Sequence, residues 1–192
     1  VHRKLLLQGL ERRGANGTKV MITCTALVSF SVLVWSGSNL RVNLSGSIPL
    51  GIYRVVSEAP ERGSTVLFCL PKSVAIFARD RGYLRLEGNC PGHVSLIGKP
   101  VLALPGDTIV VTRNAGLSVN GVLLPNSRAL VRDDVGRILP PLPDGRYLVP
   151  PGRLWVASSY SVRSFDSRYF GSVAESSVQS VIRPIWTATN SQ

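Results

Sequence analysis

The stretch LSVNGVLL, residues 117–124, sets two apolar runs on either side of Asn120-Gly121. An Asn-Gly pair in that setting predicts a two-residue hairpin of type I′, whose two turn residues both need positive φ. If 117–124 is a hairpin, its neighbours read as strands. Outward from it lie short β-branched and apolar runs cut by Gly and Pro: GIYRVV at 51–56, STVLFCL at 64–70, KPVLAL at 99–104, DTIVVT at 107–112, RYLV at 146–149 and RLWVASS at 153–159. This spacing predicts a mostly β, antiparallel domain. One interruption, SVAIFARDRGY at 73–83, carries Val74, Phe77 and Ala78 at intervals of three and four, which predicts a short helical insertion. PLPDG at 141–145 reads as a loop, and the tail, 187–192, as frayed.

The chain has 192 residues, enough for one domain with a sizeable core. Its hydrophobic fraction of 44% and charged fraction of 17% exclude a disordered chain. The net charge of +11 is unevenly spread: Arg3, Lys4, Arg12, Arg13 and Lys19 stand against Glu11 in the first 19 residues, a net +4. From Val20 to Leu40 no residue is charged, and VMITCTALVSFSVLVW within that run is largely apolar. A helix of about 20 residues crosses the hydrocarbon layer. Basic charge beside an apolar run points to a membrane with anionic headgroups as the partner rather than to nucleic acid.

The positive-inside rule then predicts a cytoplasmic basic segment at 1–19, a single transmembrane anchor at 20–40 and an extracytoplasmic domain at 41–186. The expected location is a bacterial inner membrane with the folded domain in the periplasm. A removed secretory signal has the same basic-then-apolar description. The apolar stretch exceeds the ~7 to 15 residues of a signal core, which favours a retained anchor.

Of the three cysteines, Cys24 falls in the apolar run, and Cys69 and Cys90 are expected to pair if their domain faces an oxidising compartment. CPGH at 90–93 has the spacing of two metal ligands, but a structural zinc site usually takes four. No metal and no cofactor are expected.

Chemistry is suggested by LSGSIPLGIY, residues 44–53, immediately beyond the apolar run. A serine hydroxyl needs a base to become a nucleophile. The chain has two histidines, His2 in the basic segment and His93 in a Cys-Pro-Gly turn, which argues against a Ser-His-Asp triad. Lysine serves if an apolar pocket removes its charge. Lys99 in LIGKPVLALPGD, 96–107, lies among Leu96, Ile97, Val101 and Leu102. It is either such a desolvated amine or a strand-edge lysine that reaches solvent.

Ser45-Gly46-Ser47 beyond an apolar run, Lys99 followed by PVLALPGD, and SFDSRYFG at 164–171 resemble, in order, three motif boxes of the bacterial type I signal peptidases, membrane-anchored serine proteases with a Ser-Lys dyad on a β-rich fold. The pattern SIPLGIY and the cysteine in GNCPG resemble the TraF-type branch of conjugative plasmids. Type I signal peptidases usually set two residues between nucleophile and proline, whereas Ser47-Ile48-Pro49 has one, which fits that branch.

The resemblance implies Ser47 as nucleophile, Lys99 as general base, Ser45 beside the oxyanion and Ser164 orienting the lysine. Ser45 reads equally as a turn serine. Asp166 matches an aspartate that TraF-type enzymes need, and reads equally as the ion-pair partner of Arg168 or another arginine. Asp107 reads as a turn residue fixing the strand of Lys99. The implied substrate is a precursor protein, a conjugative pilin, cleaved through an acyl-enzyme that water or the pilin's own N-terminus resolves, with other conjugative-transfer components as further partners. Rival readings are a general signal peptidase, a self-cleaving repressor with Ser-Lys chemistry, and a non-catalytic assembly protein.

Overall fold

The computed structural model describes Met21, residues 39–84 and residues 86–188. The expected basic segment and nearly all of the anchor at 20–40 lie outside the described residues. Among the described residues no helix is long and apolar enough to cross a membrane. A compact unit runs from Arg41 onward.

It is built mostly of antiparallel β-strands. β1 (Leu40–Asn43), β2 (Gly51–Val56), β3 (Thr65–Phe68), β5 (Ile97–Ala103), β10 (Arg153–Val156), β11 (Val173–Ala174) and β12 (Val178–Thr187) form one sheet in the order β1-β2-β12-β3-β5-β10-β11. β6 (Thr108–Thr112), β7 (Gly116–Val119), β8 (Val122–Leu123) and β9 (Gly145–Leu148) form a second in the order β8-β7-β6-β9. The hairpin is present: Val119 pairs with Val122, and Asn120 and Gly121 take φ of 50° and 87°.

β12 has no counterpart among the expected strands, although it is ten residues long and joins β2 to β3. Val181 and Ile182 face opposite cores, so its middle is buried on both sides, while its C-terminal half is largely exposed. Pro184 and a register shift between Pro184 and Trp186 break the alternation that would mark a strand in the sequence. The segment 187–192 enters the fold with its first two residues, since Thr187 ends β12 and the Ala188 N–H donates to Leu50 O at 2.8 Å; residues 189–192 lie outside the described residues.

The helical insertion is α1 (Lys72–Asp80), which turns Ala75 and Ala78 into the main core. β4 (Leu86–Cys90) follows it and bridges to Val94. Cys69 and Cys90 are joined in a disulfide with Cα atoms 5.3 Å apart, closing the insertion at its base. The bond spans 21 residues, so loop closure is worth about 3 kcal/mol in the chain-entropy model. A Cys69→Ala/Cys90→Ala variant is therefore expected to melt about 10 °C below the oxidised protein in a calorimetric scan. A shift under about 2 °C would mean that the loop is closed as firmly by its packing.

At the end of the insertion, Tyr83 donates to Asp133 Oδ2 at 2.6 Å, and Arg137 pairs with the same carboxylate at 2.7 Å. Its aromatic face meets Phe165, whose ring centroid lies 5.3 Å from that of Tyr83 and 6.1 Å from that of Phe77. The insertion thus supports the segment that carries Ser164 and Asp166.

Candidate active site

β5 alternates strictly, with Ile97, Lys99, Val101 and Ala103 on its buried face. Periodicity therefore places Lys99 inside, and it is only 5% exposed. Of the two readings of this residue, the structure has the desolvated amine. Burial is the main cause that lowers its pKa, to about 8; the Asp166 charge raises it and the Arg168 charge lowers it. Lys99 Nζ donates to Ser164 Oγ at 2.8 Å and to Ser47 Oγ.

Ser47 is held by both sides of its loop. Ile48, 2% exposed, packs with Tyr53 and Ile182. It sits above Gly98, where an added Cβ would lie 3.2 Å from Leu67 and 3.7 Å from Ile48. The Tyr53 hydroxyl donates to Pro49 O at 2.7 Å. Gly51 admits the close approach of β12, because a Cβ there would stand 2.1 Å from Trp186 O. Ile, Pro, Gly and Tyr in SIPLGIY thus each fix the loop behind the serine.

Asn43, which the sequence reading passed over, staples the same loop. Its Nδ2 donates to Ser45 O, Ile48 O and Pro49 O at 3.0, 3.1 and 3.0 Å. Its Oδ1 accepts from the Ser45 N–H and hydroxyl at 3.1 and 2.7 Å. Ser45 is exposed and spends its proton on this turn.

Asp166 and Arg168 form a two-pronged ion pair, Nε to Oδ1 and Nη2 to Oδ2 both 2.8 Å, with both side chains buried. The other two bonds to the carboxylate come from the Arg168 and Ser158 N–H groups at 3.2 and 3.1 Å. None of the four comes from Lys99. Arg168 also donates to five carbonyls, those of Asn126, Arg128, Ser161, Val162 and Ser164, at 2.9 to 3.4 Å. Its guanidinium ties two loop segments, 126–128 and 161–164, together beside the site.

Asp107 caps the far end of β5. Burial alone would raise its pKa, but the Leu104 N–H, Asn120 and Arg62 outweigh it and bring the net shift down. This is the turn role expected of it.

A family model described as signal peptidase, peptidase S26, matches residues 15–187. The chain belongs to the signal peptidase S26 family. Within it, the chain is similar to a plasmid transfer protein TraF of Escherichia coli, 41% identical over 149 residues that cover 77% of this chain and 82% of that one. It is likewise similar to a conjugal transfer protein TraF of Agrobacterium tumefaciens, 40% identical over 150 residues with the same coverage of both chains. A signal peptidase I of Enterococcus faecalis aligns with 65% of this chain and 97% of its own, at 24% identity and a TM-score of 0.37. Membership in this family of peptidases makes a peptidase the coarse reading of the site.

Proposed function

We propose that this chain is a membrane-anchored serine endopeptidase of conjugative transfer, working through a Ser47–Lys99 dyad. The observation that carries the reading is the contact between a buried, largely desolvated amine and the Ser47 hydroxyl on a loop fixed from both sides. In the neutral form, Lys99 takes the Ser47 proton as Oγ forms a bond to the scissile carbonyl carbon. The ammonium then gives that proton to the departing amine as the C–N bond breaks, leaving an acyl-serine. Ser164 holds the amine by accepting its second hydrogen bond.

The Ser47 N–H faces the developing oxyanion. Ser45 joins it by exchanging its bond to Asn43 for one to substrate, and a single donor of that kind is worth about 3 kcal/mol. Asp166 acts on Lys99 through its charge and through the arrangement of Arg168.

The substrate proposed is a precursor protein, a conjugative pilin, with small residues before the scissile bond. Exposed Leu44, Leu50 and Trp186 around the base of the Ser47 loop suit a site close to a lipid surface, as expected if residues 20–40 anchor the domain on the periplasmic side. Tethering enzyme and precursor to one bilayer raises their effective concentration. In the acyl-enzyme the pilin's own N-terminus, held in the same chain, competes with water. Intact-mass analysis of pilin precursor incubated with the protein tests the reading. A cyclic product is lighter than the linear one by one water, and an unchanged precursor refutes the proposal.

The dyad also fixes the pH dependence. Because the amine must be neutral and its pKa lies at about 8, kcat/KM should rise with pH up to that value and level off above it. Initial rates from pH 6 to pH 10 check this. A flat profile across that range would remove Lys99 as the base.

A further inference from the structure

The hydrogen bonds around the site close into a ring. From Ser47 Oγ it passes through Lys99 to Ser164 Oγ, and from Ser164 O to Arg168 Nη2 at 2.9 Å. It continues through the ion pair to Asp166 Oδ2 and on to the Ser158 N–H at 3.1 Å. Ser158 closes it, because its Oγ donates to Ser47 O at 2.6 Å while accepting from the Tyr160 N–H at 3.0 Å. We infer that Ser158 is a positioning residue for the nucleophile, joining the main chain of Ser47 to the Asp166–Arg168 pair.

Ser158 is entirely buried. It follows β10 at the point where that strand leaves β5: Ala157 N–H still donates to Pro100 O at 3.1 Å, and the next residue turns to Ser47 instead. Asn43, Ile48 and Tyr53 hold the loop through Ser45, Ile48 and Pro49. Ser158 reaches residue 47 itself. A hydrogen bond to that carbonyl fixes the rotation of the Ser47 peptide, and so the direction in which Cβ presents Oγ to Lys99. Misplacing a reacting atom by about 1 Å costs up to about a hundredfold in rate.

The inference rests on the dyad reading, so its test separates the two. Ser158→Ala removes the hydroxyl and leaves the main-chain N–H that Asp166 accepts, so the charges around Lys99 stay in place. Full-length protein in detergent is assayed on a fluorogenic peptide with alanine on the acyl side of the scissile bond. The expected result is kcat lowered about 10- to 100-fold, KM within about twofold, and the rise of kcat/KM with pH still centred near 8, as set by Lys99. Ser158→Thr, which restores a hydroxyl, is expected to recover most of the rate. If Ser47→Ala is inactive and Ser158→Ala keeps the wild-type kcat, the positioning role fails while the dyad stands. If Ser47→Ala cleaves the peptide at the wild-type rate, the dyad reading fails, and the role of Ser158 with it. Loss of the fold in Ser158→Ala, or equal loss of activity in the Ala and Thr variants, overturns the inference by making Ser158 a packing residue.

Discussion

Ser47→Ala and Lys99→Ala are each expected to lower precursor cleavage by about a thousandfold or more while leaving the domain folded. The two losses should not add, because nucleophile and base act in a single step: the double variant is expected to be no slower than either alone. Lys99→Met separates chemistry from stability. The folded-state pKa of Lys99, about 8, lies below the ordinary 10.5. The fold is therefore penalised while the amine is charged, fully so below about 8, and the penalty fades as pH rises toward 10.5.

Two and a half pKa units correspond to roughly 3 kcal/mol. Against this, Lys99→Met leaves the buried Ser164 hydroxyl without its donor, at about 1 to 2 kcal/mol. The charge penalty outweighs that loss. The inactive Lys99→Met protein should be more stable than wild type by about 1 to 2 kcal/mol at pH 7, with the gap closing between pH 8 and pH 10.5. Urea titrations at pH 7 and pH 10 measure both numbers. A variant that cleaves precursor would mean that Lys99 is not the base, and one less stable than wild type at pH 7 would mean that its charge is not one the fold resists.

Local chemistry explains which parts of this structure could be read in advance. The Asn120-Gly121 hairpin depends on two residues with positive φ, so neighbouring side chains are enough to specify it. β2 was legible residue for residue as GIYRVV, whereas alternation in the sequence left Lys99 open between a buried amine and a strand-edge lysine, and only the strand register that begins at Ile97 turns it inward. β12 was not legible, because its pattern is set by two different cores and interrupted at Pro184. The same limit holds at the site. Ser47, Lys99, Ser164 and Asp166 occur in recognisable boxes, whereas Asn43 and Ser158 act on backbone carbonyls. That role leaves no residue-type signature. Ser158 lies 111 positions from the residue it holds. The Asp166–Arg168 pair could be suspected from DSR, and three of the five carbonyls that Arg168 gathers lie close by in the chain, but those of Asn126 and Arg128 are brought to it only by the fold.

Those carbonyls make Arg168 the residue whose loss should damage the domain most. Removing one partner of a buried pair leaves an uncompensated charge and costs about 3 to 5 kcal/mol. Arg168→Met strands the Asp166 carboxylate and removes the donor of five backbone oxygens, so it should lie at or beyond the upper end of that range. Asp166→Asn keeps the shape and one acceptor oxygen and leaves Arg168 its carbonyls, so it should cost less. Chemical denaturation ranks the two. Asp166→Asn also tests how the aspartate serves the reaction. The Asp166 charge raises the Lys99 pKa and the Arg168 charge lowers it. Without the carboxylate, the amine should titrate at lower pH, and the rise of kcat/KM should move toward acid. If Asp166 acts through charge and architecture, the folded variant keeps its plateau rate within about tenfold once the amine is neutral. A fall of a thousandfold at every pH, with the variant as stable as wild type, would show instead that the aspartate takes part directly in proton transfer.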